Sequence, residues 1–308
     1  MWKSSFPPTN SSQESSVSLN ITGIRMAVAL VIVIFFCFLA YFMTMMLNIY
    51  FTSSQIQENA RYVLFVHLLI SDSLFIMFGV FLLVASIHYL SIPGPVCYIL
   101  VMMGMVTFKT SPYNLATMAL ERYVAICFPL HHCMLCSTKR AKIAILVTWM
   151  LAFFPHICEI VVLPSLSKKL SALHIMCTQT NVTVHPFQNL IQLLNLVLGF
   201  AGVGLIILIT YVQIVIVTHK ISSQSSLTSK GSRTIILHAF QLCLCMASLL
   251  SAYEYKYPYN ILNFFIFTCL PRFLSPLIYG LRDEVLRKYI KQTVLKNIHF
   301  LKIPVGGK

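Results

Sequence analysis

Lys109 stands inside a long apolar run, 12 residues after Cys97 and 13 before the adjacent pair Glu121-Arg122. On a helix rising about 1.5 Å per residue, its ammonium lies roughly 18–20 Å from either end of the run, too far to reach water by snorkelling. A cation at that depth costs on the order of 3 kcal/mol on insertion scales, so it must face a bundle interior or a wet cavity. There it can bind an acidic or carbonyl-bearing ligand. It can also be structural, bonded to backbone carbonyls or to Glu159. Glu121 and Arg122 are opposite charges at the edge of the same run, where leaving either unpaired is costly. Arg272 is a second cation in an apolar stretch, about one helical turn before Pro276. None of this is enzyme chemistry. The chain has no H-E-x-x-H or G-x-S-x-G motif, and its histidines do not gather around a nucleophile. Cys133-x-x-Cys136, beside His131 and His132, lacks a second ligand pair spaced for zinc, so no metal or other cofactor is expected.

The elements that must position these residues are membrane spans. Of 308 residues, 58% are hydrophobic and 10% charged, against about 25% charged in a soluble domain. Seven apolar runs are long enough to cross a bilayer, which takes about 20 residues. They fall near 24–51, 61–88, 95–127, 140–163, 188–217, 232–253 and 258–280. Residues 1–23 read as a polar tail with no removable signal peptide, 24–280 as the seven-span domain, and 281–308 as a basic tail. In the basic tail Val285, Leu286, Tyr289, Ile290 and Val294 form one apolar face, as expected of an amphipathic helix on a membrane surface. Fifteen Lys and Arg fall on one side of this arrangement and five on the other, which places the C-terminus in the cytoplasm. The sequons at Asn10, Asn20 and Asn181 all fall on the opposite, outer side. Cys97 and Cys177 are also outside, where an oxidising compartment permits a disulfide. The net charge of +14 is therefore a cytoplasmic face for anionic lipid and acidic partners, not a nucleic-acid surface.

Two strings carry a family resemblance. Met118-Ala119-Leu120-Glu121-Arg122-Tyr123-Val124-Ala125-Ile126-Cys127-Phe128-Pro129-Leu130-His131 resembles the end of helix three in odorant receptors, which are rhodopsin-like (class A) G-protein-coupled receptors. Ser275-Pro276-Leu277-Ile278-Tyr279-Gly280-Leu281-Arg282 resembles their helix-seven ending. Lys230, Thr234 and His238 fit the opening of helix six, Trp149 the helix-four tryptophan and Asp72 the helix-two aspartate. The stretch Arg272 to Glu284 is most similar to the fish and amphibian odorant receptor 131-2-like group. The sequence departs from the pattern at Thr44, where helix one usually has Asn, with Asn48 one turn later, and at Ser275, which replaces a helix-seven Asn.

The resemblance implies an all-α membrane protein, a seven-transmembrane bundle with an amphipathic cytoplasmic helix 8, in the plasma membrane with its N-terminus outside. It implies a Cys97–Cys177 bond tying the second outer loop to helix three. It implies a switch in which Glu121 holds Arg122 until helix six moves outward and a heterotrimeric G protein, of the stimulatory olfactory type, docks. Tyr123, Asp72, Arg272, Pro276 and Tyr279 belong to that switch. Family architecture also brings Arg272 beside Asp72 and Ser111, where many relatives hold sodium, so an Arg272–Asp72 pair is expected in its place. The candidate pocket for a small odorant-like molecule comprises Met102, Met105, Phe108, Lys109, Tyr253, Phe265 and Thr268. Gly104 stands where amine receptors carry an Asp, and helix seven has no Lys for a retinal Schiff base. The competing readings are a class A receptor for a non-odorant ligand and a transporter or channel. The second leaves both strings unexplained and lacks an internal repeat.

Overall fold

The structure, a computed structural model, describes residues 11–88, 90–162, 174–177, 186–221 and 286–292, together with Phe240, Cys243, Cys269, Leu270 and Arg272. The described helices are α1 (Ser11–Thr52), α2 (Ser54–Gln57), α3 (Ala60–Ile87), α4 (Gly94–Cys127), α5 (Pro129–Leu135), α6 (Thr138–Val162) and α7 (Pro186–Ile221). Five of them contain segments long and apolar enough to cross a membrane: Val33–Thr52, Ala60–Ser86, Gly94–Cys127, Thr138–Ile160 and Phe187–Val217. These coincide with the first five expected spans. Apart from the five isolated residues named above, the sixth and seventh spans lie outside the described residues.

Local chemistry sets several boundaries. Asn59 caps α3 by accepting from the Arg61 backbone N–H at 3.1 Å. Pro95 sits in the first turn of α4, where its missing N–H costs nothing. α4 ends at Cys127, Phe128 follows in non-helical backbone and Pro129 opens α5, as expected where a proline disfavours helical backbone in the residue before it. α1 begins at Ser11, within the stretch expected as a polar tail. No proline interrupts the chain between Ser11 and Thr52. Residues 1–45 and 46–308 form two compact units.

Within the second unit α4 is the central element, packed against α3, α6 and α7. Every residue from Val106 to Pro112 is buried, so this turn is enclosed on all sides. Two of its hydroxyls are satisfied locally: Thr107 and Thr110 donate to backbone carbonyls three or four residues earlier, at 2.8 Å. By contrast, α6 carries Leu146, Met150, Phe154 and Ile157 in an exposed stripe at helical spacing, the face expected to meet lipid. Side-chain bonds stitch helices together. Asn114 Nδ2 donates to the Leu64 carbonyl at 2.8 Å, joining α4 to α3, and Trp149 Nε1 donates to His67 Nε2 at 2.8 Å, joining α6 to α3.

Two short strands form where no span is expected: β1 (Ser91–Pro93) and β2 (His174–Met176), antiparallel, with Ile92 opposite Ile175. Three-residue strands carry too little alternation to be read from sequence. They are fixed by what adjoins them, since Cys97 follows β1 and Cys177 follows β2. Residues 286–292 are helical, with Leu286 buried and Arg287, Lys288 and Lys291 exposed. The Ser53 hydroxyl donates to Tyr289 Oη at 3.3 Å.

Candidate functional site

Three clusters lie along α4. At its first turn, Cys97 and Cys177 are bonded, with Cα atoms 5.4 Å apart and 80 residues between them in sequence. Ala85 of α3 and Ile92 of β1 pack against the bond, so that end of α4 is anchored to the strand pair.

The middle cluster has two parts. On one side Arg272 sits with its side chain 1% exposed, its Nε 3.3 Å from Asp72 Oδ1. Ser111 donates to the same Oδ1 at 2.6 Å. The guanidinium carbon lies 3.8 Å from the Phe75 ring centroid and 4.9 Å from that of Phe108, so two aromatic faces share the cation. The ring of Phe108 in turn lies 6.0 Å from that of Phe200 on α7. Phe108, a pocket candidate by sequence, is thus part of the packing around Arg272. Asn48 is exposed and accepts from Thr52, and Thr44 donates to the Tyr41 carbonyl.

On the other side is Lys109, 2% exposed, whose Nζ has no hydrogen-bond partner among the described residues. It shares one face of α4 with Met105, Met102 and Tyr98, at offsets of 4, 7 and 11 residues. Glu159 of α6 is fully buried and lies within electrostatic reach of both Lys109 and Tyr98. Its Oε2 accepts from Gln188 Nε2 at 3.3 Å and Gln192 Nε2 at 3.2 Å, and lies 3.7 Å from His156 Nδ1. The alternative of Lys109 bonded directly to Glu159 is not realised, because the two form no ion pair in the structure.

At the far end of α4, Arg122 Nε lies 3.7 Å from Glu121 Oε2. The other carboxylate oxygen, Oε1, is 3.2 Å from Nε2 of His132 on α5. Glu121 is therefore held from both sides. Tyr123 packs edge-on against Phe128, with centroids 5.7 Å apart.

Of the remaining residues singled out by sequence, Asn10, Asn181, Tyr253, Phe265, Thr268, Pro276 and Tyr279 lie outside the described residues. Asn20 falls within α1. Sequence reasoning missed His132 as a partner of Glu121, Phe75 as a face for Arg272, and Gln188 and Gln192 as donors to Glu159. Only the glutamines left a signal, an i, i+4 pair in the largely apolar first half of α7.

The arrangement is that of a helical receptor, with a disulfide-anchored end, polar groups buried at mid-depth and a charge lock at the opposite end. The chain matches the family model of the 7 transmembrane receptors (rhodopsin family) over residues 49–279, most of its length, and belongs to that family. It is a multi-pass membrane protein of the seven-transmembrane class, and the family is one of receptors, not enzymes. Odorant receptor 131-2 of Danio rerio is 29% identical over 264 residues, covering 82% of this chain and 81% of that protein. Olfactory receptor 1 of Rattus norvegicus is 28% identical over 205 residues, covering 60% and 62%. Olfactory receptor 6C74 of Homo sapiens is 26% identical over 204 residues, covering 61% and 64%. The chain thus spans just under two thirds of those two mammalian relatives. The resemblance read from the helix-three and helix-seven strings is borne out.

Proposed function

We propose that this chain is an odorant-type receptor that binds a small molecule within its helical bundle and activates a heterotrimeric G protein of the stimulatory olfactory type. The observation that carries the proposal is the lock at the end of α4, where Glu121 contacts Arg122 at 3.7 Å and His132 at 3.2 Å. Such a lock is a two-state element: a ligand that favours the open state releases Arg122 to a partner. The excess of Lys and Arg on one side supports a cytoplasmic location for this end and an outer one for the Cys97–Cys177 end, which goes with glycans on Asn10, Asn20 and Asn181 and with residues 281–308 along the inner membrane surface. The ligand pocket includes Lys109, Met102 and Met105, with Tyr253, Phe265 and Thr268 from later helices, and Lys109 favours an acidic or carbonyl-bearing ligand. Arg272 occupies the place of a sodium ion. The test is a ligand screen of surface-expressed receptor with a cAMP readout, run beside an Arg122→Ala control. Ligands that raise cAMP through the wild type but not the control support the proposal. Lys109→Met, in a receptor still reaching the surface, should abolish responses to acidic ligands, and retained responses rule out its role.

A further inference from the structure

We infer that the site between α4, α6 and α7 takes a zwitterionic ligand, an amino acid or a molecule with the same two poles. The inference rests on the receptor reading above and deepens it. Its starting point is a pair of opposite charges that do not meet. Lys109 and Glu159 are 2% and 0% exposed, sit on different helices, and feel each other's field. Yet Lys109 Nζ and Glu159 Oε1 each lack a hydrogen-bond partner among the described residues. Two more buried polar atoms nearby share this condition, Tyr98 Oη and His156 Nε2. Buried polar groups in proteins are overwhelmingly paired, and leaving an ionised one bare costs more than leaving a neutral one. Four such atoms on two adjoining helices mark a place built to receive partners from outside the chain.

The signs determine what those partners are. A simple carboxylate satisfies Lys109 but brings a second negative charge beside Glu159. A simple amine satisfies Glu159 and brings a second positive charge beside Lys109. A molecule with both groups a few bonds apart meets both poles and leaves the site neutral, which a low-dielectric interior favours. Gln188 and Gln192 hold Glu159 Oε2, so Oε1 is the oxygen left to accept from an ammonium. Met102 and Met105, on the face of α4 shared by Lys109 and Tyr98, offer an adaptable apolar surface to a side chain.

The experiment is a thermal-shift panel on the purified full-length receptor. Each common amino acid is compared with its deaminated acid and its decarboxylated amine, so that leucine stands beside 4-methylpentanoic acid and 3-methylbutylamine. At least one amino acid should stabilise the receptor at a concentration about tenfold or more below that needed by either counterpart, the scale of one charge-assisted hydrogen bond. Glu159→Gln should narrow the gap between that amino acid and its acid, and Lys109→Met the gap to its amine. Equal potency of amino acids and their single-pole counterparts in the wild type overturns the inference, as does a Glu159→Gln variant that weakens amino acid and acid alike. The wild-type panel decides even if a variant fails to fold. A cAMP measurement on the same panel separates this inference from the receptor reading. Binding of amino acids without any cAMP response contradicts G-protein coupling alone, and cAMP responses without preference for zwitterions contradict the zwitterion site alone.

Discussion

Arg272→Met should gain a sodium response that the wild-type receptor is expected not to show. At 3.3 Å, a unit charge pair is worth about 5 kcal/mol at an effective dielectric near 20, and much of this is offset by desolvating both groups. Breaking such a buried pair from one side typically costs about 3–5 kcal/mol, because the remaining charge stays buried without its counterpart. Asp72→Asn takes the carboxylate charge away from a guanidinium that also lies against the Phe75 and Phe108 faces, each worth on the order of 1–2 kcal/mol. Arg272→Met leaves the carboxylate with Ser111 and opens a place for a small cation. The double variant removes both charges and should be more stable than Asp72→Asn alone. Purified receptor would be melted in sodium chloride and in choline chloride at matched ionic strength. The expected result is no sodium effect in the wild type or the double variant, and a sodium-dependent rise in melting temperature for Arg272→Met. Equal sodium stabilisation of the wild type and Arg272→Met would refute the reasoning, as would additive losses in the double variant.

Further outcomes are expected at the disulfide, the α4 lock and the sequons. Cys97→Ser and Cys177→Ser should each cost about 2–5 kcal/mol and lower surface expression, and the double variant should be no worse than either single one, since one bond is lost in all three; surface immunodetection measures this. Glu121→Gln should raise ligand-independent cAMP. His132→Ala should raise it less, by roughly fivefold or under for a half-exposed contact worth about 1 kcal/mol, and should add nothing in a Glu121→Gln background. Replacing Asn10, Asn20 and Asn181 by Gln should together abolish the N-glycosidase-sensitive mass shift on gels, and a wild-type receptor that shows no such shift would contradict the proposed orientation.

The sequence made the spans legible because each is a long apolar run, and length is what a bilayer demands. Lys109, Glu121, Arg122 and Arg272 were legible for the converse reason, since charges in such runs must be accounted for. Their partners were harder to read. His132 reaches Glu121 across 11 residues and the break at Pro129, so no helical period connects them. Phe75 is one of many phenylalanines until Arg272 is seen against its ring. Family architecture pointed to Asp72 as the partner of Arg272, but the aromatic sandwich had no signature of its own. Strands β1 and β2 were invisible because three residues each carry too little alternation, and the disulfide beside them joins positions 80 residues apart.

The most direct test of the central claim is agonist-dependent nucleotide exchange on a purified stimulatory olfactory-type G protein, with wild-type receptor and Arg122→Ala compared in the same membranes. Exchange that rises with ligand in the wild type, and stays at the receptor-free rate with Arg122→Ala although ligand still binds, is the expected result. Equal exchange by both receptors, or ligand binding by the wild type that never accelerates exchange, would contradict it.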